Sequence, residues 1–349
     1  MKIDHIHFYV EDALLWRDWF IYHLGFRSLI THTHSFHTCT KAVTSGSINF
    51  FFSSPILATS PVATFLSQHP PGVADVAFIV EDIVKVIELA EASGSKILQS
   101  IQQYQHGSKS YKWGKIGGWG SLTHTLLEIS DSNTFTDNQP MDLFSMVRAI
   151  DHVVLNVEAG KLETAVSMYQ SIFNLELRQQ FNIQTAYSAL HSQVLTSSCG
   201  NVQLPINEPT SNSSQIQEFL DFNRGSGIQH IALQTNNAIQ AIAKFRVQGL
   251  SFLPVPANYY LKLQQRHGFS LSPQELQAIA QQQILVDWEP ETPQALLLQI
   301  FTQYIFAQPT FFLEFIERRS QASGFGEGNF QALFAAMEAE QIQRGSLQI

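Results

Sequence analysis

His152 in IDHVVLNV, His230 in GIQHIALQT and Glu314 in PTFFLEFIER are good metal ligands, each set in a short apolar run that reads as a strand. Two neutral imidazoles and one carboxylate, with no thiolate, form the donor set that holds Fe(II) on one face and leaves the other face open to substrate and oxygen. The chemistry such a set implies is oxygen-dependent oxidation of a small molecule. The chain has 13 histidines, so two in strand-like segments say little alone; a lone strand histidine is more often hydrogen-bonded scaffold than ligand. The three count together only if the fold converges them.

The elements that must do so belong to a chain of 349 residues, long enough for about two domains. Only 14% of residues are charged, and 26 Phe supply apolar volume for a large core. The net charge of −9, with 20 Lys and Arg scattered thinly, excludes a nucleic-acid partner that would need clustered cations on phosphate. Cys39 and Cys199 are the only cysteines and sit in no paired motif, so neither a disulfide framework nor a thiolate zinc site is expected. MKIDHIHFYVED lacks the positive and apolar regions of a secretory signal, and no apolar stretch reaches about 18 residues. The expectation is a cytoplasmic protein with a small-molecule partner and no membrane contact.

The chain repeats itself. Ile3-Asp4-His5, followed by apolar alternation and Glu11, recurs as Ile150-Asp151-His152 and Glu158. Each copy enters a helix-like segment, at 14–26 and 162–177, that ends at Gly25 or Asn174, both good C-terminal residues. GVADVAFIV at 72–80 matches GIQHIALQT at 227–235, each leading into a second helix, and HTLLEIS matches FFLEFIE. The expected boundaries are an N-terminal domain over 1–130, a linker over 131–147 and a C-terminal domain over 148–349. In the last strand Phe312, Glu314 and Ile316 share one side, so the carboxylate on this apolar side needs a partner.

This arrangement, with paired βαβββ modules in each half, resembles the vicinal oxygen chelate superfamily. The resemblance implies an α+β fold of two tandem barrels, each barrel open with a metal position inside. Aligning the repeats sets His5 opposite His152, Asp75 opposite His230 and Glu128 opposite Glu314, and the first set reads as a vestige kept for packing. The tract THTHSFH, with His32, His34 and His37, reads as a polar edge or loop, although short histidine tracts can bind metal. No Gly-rich phosphate loop or nucleophile elbow occurs.

The C-terminal half is more specifically similar to the 4-hydroxyphenylpyruvate dioxygenase family, through LPINEP, SQIQEFLDFNRGSGIQHIAL, FLPVPANYY, LLQIFT, FFLEFIER and GFGEGNFQALF in order. The resemblance implies that His152, His230 and Glu314 hold Fe(II). It implies that Ser192, Asn207, Gln215, Phe301 and Phe325 bind substrate, and that Gln299, Asn329 and Phe330 act at the reacting centre. Taken alone, Ser192 reads as a solvent-facing strand residue, Asn207 and Gln215 as turn and cap residues, and the phenylalanines as ordinary core. Gln229, next to His230, is expected to point to the opposite face. The apolar spacing of Phe330, Leu333, Phe334 and Met337 after a glycine-rich stem gives an amphipathic helix, either a lid or a docked terminal helix. Glu317 departs from the family, which usually has Gln there.

The implied activity is conversion of 4-hydroxyphenylpyruvate and O2 to homogentisate and CO2 in a homo-oligomeric enzyme of tyrosine catabolism. The alternatives are 4-hydroxymandelate synthesis from the same substrate, disfavoured because such enzymes tend to be aliphatic at the Phe330 position, and a non-catalytic binding protein on the same fold.

Overall fold

The computed structural model describes residues 1–30, 35–107, 109–131, 145–185, 188–211 and 213–347. His32, His34 and most of the expected linker lie outside them.

The first half runs β1 (Lys2–Tyr9), α1 (Ala13–Leu24), β2 (Arg27–Leu29), β3 (Thr38–Ser45), β4 (Ile48–Pro55), α2 (Pro61–Gln68), β5 (Gly72–Ile79), α3 (Ile83–Ala92), β6 (Ile97–His106), β7 (Lys109–Gly117) and β8 (Thr123–Asp131). The second half repeats it with β9 (Ala149–Asn156), α4 (Leu162–Phe173), β10 (Glu176–Gln184), β11 (Ala189–Thr196), β12 (Gln203–Pro209), α5 (Gln215–Asn223), β13 (Gly227–Gln234) and α6 (Ala238–Val247). Two inserted helices, α7 (Ala257–Leu263) and α8 (Pro273–Gln281), precede β14 (Leu285–Asp287), β15 (Leu297–Phe301), β16 (Phe312–Arg318) and the terminal α9 (Phe330–Arg344).

Each half forms one curled eight-stranded sheet. The strand orders are β2-β3-β4-β1-β5-β8-β7-β6 and β10-β11-β12-β9-β13-β16-β15-β14, the same permutation twice. The α+β, tandem βαβββ architecture read from the repeats is therefore the fold. Helix ends follow local chemistry: α1 starts where the Asp12 carboxylate accepts from the Leu14 and Leu15 amides, and stops at Gly25 with φ 71. The equivalent α4 stops at Asn174 with φ 53, one of the few side chains that tolerate this conformation.

The two sheets share one hydrophobic core. Phe8, Phe20, Phe50 and Phe52 stack inside the first half, and Phe8 meets Phe311 of the second half with ring centroids 5.3 Å apart. Burying each such ring contributes on the order of 1.5–3 kcal/mol, so the Phe-rich composition stabilises both the halves and their junction.

Two bulges recur at matching places. The pairing of β9 with β13 shifts at Asp151 and at Gln229, and the pairing of β1 with β5 shifts at Asp4 and at Ala74. Each bulge inserts one residue and re-aims its neighbours.

Candidate metal centre and cavity

The register of three adjacent strands creates the centre. His152 on β9 and Glu314 on β16 both pair with Ala232 on the intervening β13, while His230 lies two residues before Ala232 on the same face. Directly paired residues hold their Cβ atoms about 4.5–5.5 Å apart, and the small Ala232 side chain leaves space between them. One ligand atom from each of His152, His230 and Glu314 lies within 4.8 Å of the others. His152 Nε2 is 3.1 Å and His230 Nε2 3.7 Å from Glu314 Oε2.

Each candidate ligand is held differently. His152 Nδ1 lies 2.9 Å from Asp151 Oδ1, and Asp151 accepts two 2.7 Å hydrogen bonds from Arg318. The His230 ring stacks on Phe312 at 4.6 Å, and its buried Nδ1 has no hydrogen-bond partner. Glu314 Oε1 accepts from Gln299 Nε2 at 3.0 Å, which leaves Oε2 toward the imidazoles.

Burial pushes His230 well below its ordinary pKa, and the neighbouring His152 charge adds to that, so His230 is neutral. Burial also disfavours charge on His152, but Glu314 and Asp151 outweigh it and raise its pKa to about 9. Burial likewise opposes charge on Asp151, yet Arg318 and His152 hold its carboxyl below the usual range.

These residues fit a divalent metal. The donors converge, His230 offers an unprotonated ring, and Asp151 fixes His152 with Nε2 aimed inward, the usual outer support of a metal-bound histidine. A cation arriving here would replace the His152 proton as counter-charge to Glu314.

The centre opens into a cavity with about 650 Å³ of empty volume, part of it open to solvent. Ser192, Asn207, Gln215, Gln299, Phe301, Phe325 and Phe330 all line it. Ser192 and Asn207 pair across β11 and β12, and Asn207 Nδ2 donates to Asn156 Oδ1 at 3.2 Å. Gln215 opens α5, and its buried Oε1 has no partner. Asn329 lies behind the wall, donating to Gln299 Oε1 at 2.8 Å, with its Oδ1 2.7 Å from the Tyr259 hydroxyl. Gln299 and Phe301, two apart on β15, share the inward face.

Helix α9 closes the cavity. Phe330, Leu333, Phe334 and Met337 form its wall, Phe330 packs edge-on against Phe181 at 5.2 Å, and Arg344 makes a two-pronged ion pair with Glu218 of α5. A Cβ at Gly326 would overlap the Gln299 amide, so the stem needs glycine there.

Two expectations require correction. Gln229 does not point away from His230: the bulge brings both into the cavity lining, with Gln229 Nε2 buried and unpartnered. Glu128 does not stand opposite Glu314. Asp75 pairs with Thr123 as His230 pairs with Phe312, so Thr125 holds the Glu314 register and Glu128 that of Glu317. Both of those glutamates accept a helix N-terminal amide, Ile83 N for Glu128 and Ala238 N for Glu317. Among the described residues His5, Asp75 and Glu128 do not form a metal-capable group. His37, in the histidine tract, bonds Ser35 and Thr38 in a bend.

Asp151, Arg318, Phe312 and Tyr259 were not singled out from the sequence as site residues. The repeated Ile-Asp-His triplet was the available signal for Asp151.

Residues 149–270 match the family model described as Glyoxalase/Bleomycin resistance protein/Dioxygenase superfamily. The chain is 34% identical to the 4-hydroxyphenylpyruvate dioxygenase of Caenorhabditis elegans over 371 residues, covering 99% of this chain and 93% of the relative. It is 36% identical to that of Legionella pneumophila strain Corby over 328 residues, 93% of this chain and 90% of the relative. Among solved structures, a triple mutant of 4-hydroxymandelate synthase from Streptomyces coelicolor superposes with TM-score 0.84 at 24% identity, covering 97% of this chain and 98% of that one, a likeness of fold.

Proposed function

The chain belongs to the 4-hydroxyphenylpyruvate dioxygenase family, and from that premise we propose that it converts 4-hydroxyphenylpyruvate and O2 to homogentisate and CO2 with Fe(II) held by His152, His230 and Glu314. The observation that carries this reading is the convergence of the three donor atoms within 4.8 Å at the floor of an apolar, helix-capped cavity. Fe(II) bound there supplies redox chemistry and open positions for a chelating 2-oxo acid and for oxygen.

The chain's own residues bind, orient and exclude water. Phe301 and Phe330 supply aromatic walls for the substrate ring, and Phe325 covers His152 at 5.1 Å between ring centroids. Ser192, Asn207 and Gln215 orient the polar ends of the substrate. The unpartnered Gln215 Oε1 and Gln229 Nε2 are costly to bury alone, and a substrate that hydrogen-bonds them offsets that cost. Gln299 fixes Glu314, and Asn329 fixes Gln299. Closure by α9 keeps bulk water from the oxidation. Among the described residues no helix is long and apolar enough to cross a membrane. We take the working partners to be the 2-oxo acid, O2 and further copies of the chain.

An oxygen electrode with Fe(II) and 4-hydroxyphenylpyruvate, followed by chromatography and mass measurement of the product, tests the reading. Oxygen uptake matched by homogentisate supports it. Uptake that yields 4-hydroxymandelate would replace the reaction while keeping the site, and ligand binding without uptake would sink the enzyme reading.

A further inference from the structure

Arg318, the last residue of β16, makes four hydrogen bonds with one guanidinium. Nε and Nη2 each donate at 2.7 Å to the two oxygens of Asp151, the carboxylate that fixes His152. Nη1 donates to the carbonyl oxygens of Ala322 at 3.1 Å and Gly324 at 2.9 Å. Those carbonyls belong to the stem that carries the chain from the sheet to α9. The stem turns sharply, with Ser320 at φ 48, Gln321 at φ 58, and Gly324 and Gly326 at φ 78. Non-glycine residues keep such angles only where their surroundings impose them, and the Arg318 fork binds this turn at the Ala322 and Gly324 carbonyls.

The duplication supplies a control. In the first half Asp4 holds His5 Nδ1 at 2.7 Å, just as Asp151 holds His152. The register that places Thr125 at the Glu314 position places Ile129 at that of Arg318, so the same Asp–His pair there lacks the arginine. The arginine therefore goes with the half that carries the converged donors and the closing segment.

We propose that Arg318 is a positioning residue that couples docking of the C-terminal segment to the orientation of His152, so that the metal is gripped fully only while the cavity is closed. This rests on the reading that His152, His230 and Glu314 hold a metal. A planar guanidinium places its donors in fixed directions, so the stem carbonyls cannot shift without moving the Asp151 carboxylate or breaking the fork. Coupling of this kind is reciprocal: the factor by which docking tightens the metal is the factor by which the metal tightens docking. A second strut, from Asn329 through Gln299 to Glu314, runs beside it and persists when Arg318 is changed.

The test uses Co(II) titrated anaerobically into metal-stripped protein, so it needs no turnover. The four chains are wild type, Arg318→Lys, a truncation lacking residues 324–349, and the combination. Lysine keeps the charge but cannot reproduce the fork. Truncation is expected to weaken Co(II) binding about ten-fold in the wild-type background and at most about three-fold in Arg318→Lys, the remainder passing through the Asn329 strut. Losses that simply multiply would overturn the coupling. Should the truncated chains not fold, hydrogen exchange at 319–330 of the full-length proteins decides. Co(II) is expected to slow exchange there in wild type and to have little effect in Arg318→Lys at equal occupancy. Equal slowing in both would overturn the proposal. If wild type binds no Co(II), the metal reading itself fails; if it binds but shows no coupling, only the role of Arg318 falls.

Discussion

At matching registers the two sheets solve the same problem in different ways. In the second, Glu314 is buried and faces two imidazoles, one of them neutral with its Nδ1 unpartnered, beside a cavity. In the first, the buried carboxylate is Asp75, at the His230 position. Lys115, at the Phe301 position, reaches it at 3.1 Å, and Thr123 and Thr125 supply further hydrogen bonds. Burial pushes the Asp75 pKa up, but Lys115 and Thr123 more than offset that and leave it lowered. A carboxylate inside a curled sheet needs a counter-charge. The first half carries a fixed one as an ammonium, whereas the second relies on the His152 proton, which a cation from outside can replace.

The largest effect expected on this contrast comes from removing a ligand. His230→Ala should abolish turnover and weaken metal binding by more than about 100-fold, beyond the roughly 10–100-fold typical of losing an outer support. The fold should persist, because His230 Nδ1 has no partner to lose. Metal titration with circular dichroism of the metal-free protein checks both parts; retained activity would point to a different ligand set.

Next in size is Lys115→Ala. It leaves Asp75 buried without its cation, and breaking such a pair costs about 3–5 kcal/mol, less here to the extent that the partly exposed lysine is screened by solvent. Denaturant unfolding should show the loss, while metal affinity at the second centre stays unchanged. Adding Asp75→Asn should restore much of the stability. A metal-binding defect in Lys115→Ala would mean that the halves are not chemically independent.

The halves should part on the alkaline side, because His230 is lowered by burial as His7 is, so both halves lose stability in acid, and among the described residues only the second holds a raised histidine. His7, in the first, is lowered from 6.5 to about 3, by burial above all. Its unfolded state takes up a proton first, so its contribution is full above about 6.5 and is lost as pH falls from there through about 3. In the metal-free second half His152 is raised to about 9, so its contribution is full below about 6.5 and disappears as pH climbs through about 9. Hydrogen exchange by mass spectrometry at acid, neutral and alkaline pH reads the halves separately. An equal loss of protection in both halves as pH climbs through about 9 would contradict the assignment.

The architecture was legible because apolar alternation, helix ends at Gly25 and Asn174 and the repeated Ile-Asp-His triplets are local signals. The converging donor set was legible only through the repeat and the family motifs, since no local feature of His152 sets it apart from other strand histidines. What escaped depended on register. Strict alternation sends Gln229 away from His230, and only a bulge, which leaves no reliable mark in composition, turns it inward. LLEIS and FFLEF look alike and set Glu128 against Glu314, yet strand pairing offsets the two by three residues. No local signal marks Arg318, whose partners Ala322 and Gly324 reach it only through the turn of the stem.

The corrected match makes the smallest prediction and the most symmetric one. Glu128 and Glu317 occupy one register in the two sheets, and each accepts the first amide of a helix earlier in the chain, α3 or α6, at 2.9 Å and 2.6 Å. Each also meets a cation, Lys112 at 2.6 Å or Arg319 at 2.7 Å. Glutamine keeps an oxygen for the amide but gives up the charge that favours a helix N-terminus, so Glu128→Gln and Glu317→Gln should each cost only about 0.3–1 kcal/mol. Both effects should shrink at high salt, as interactions of partly exposed cations do. Catalysis should be untouched in either variant, because Glu317 bonds α6 and Arg319 rather than a ligand. Thermal unfolding at low and high salt, paired with metal titration, separates the cases. If Glu317→Gln changed metal affinity while Glu128→Gln changed only stability, the acid beside the ligand strand would be tuning the centre instead of capping a helix.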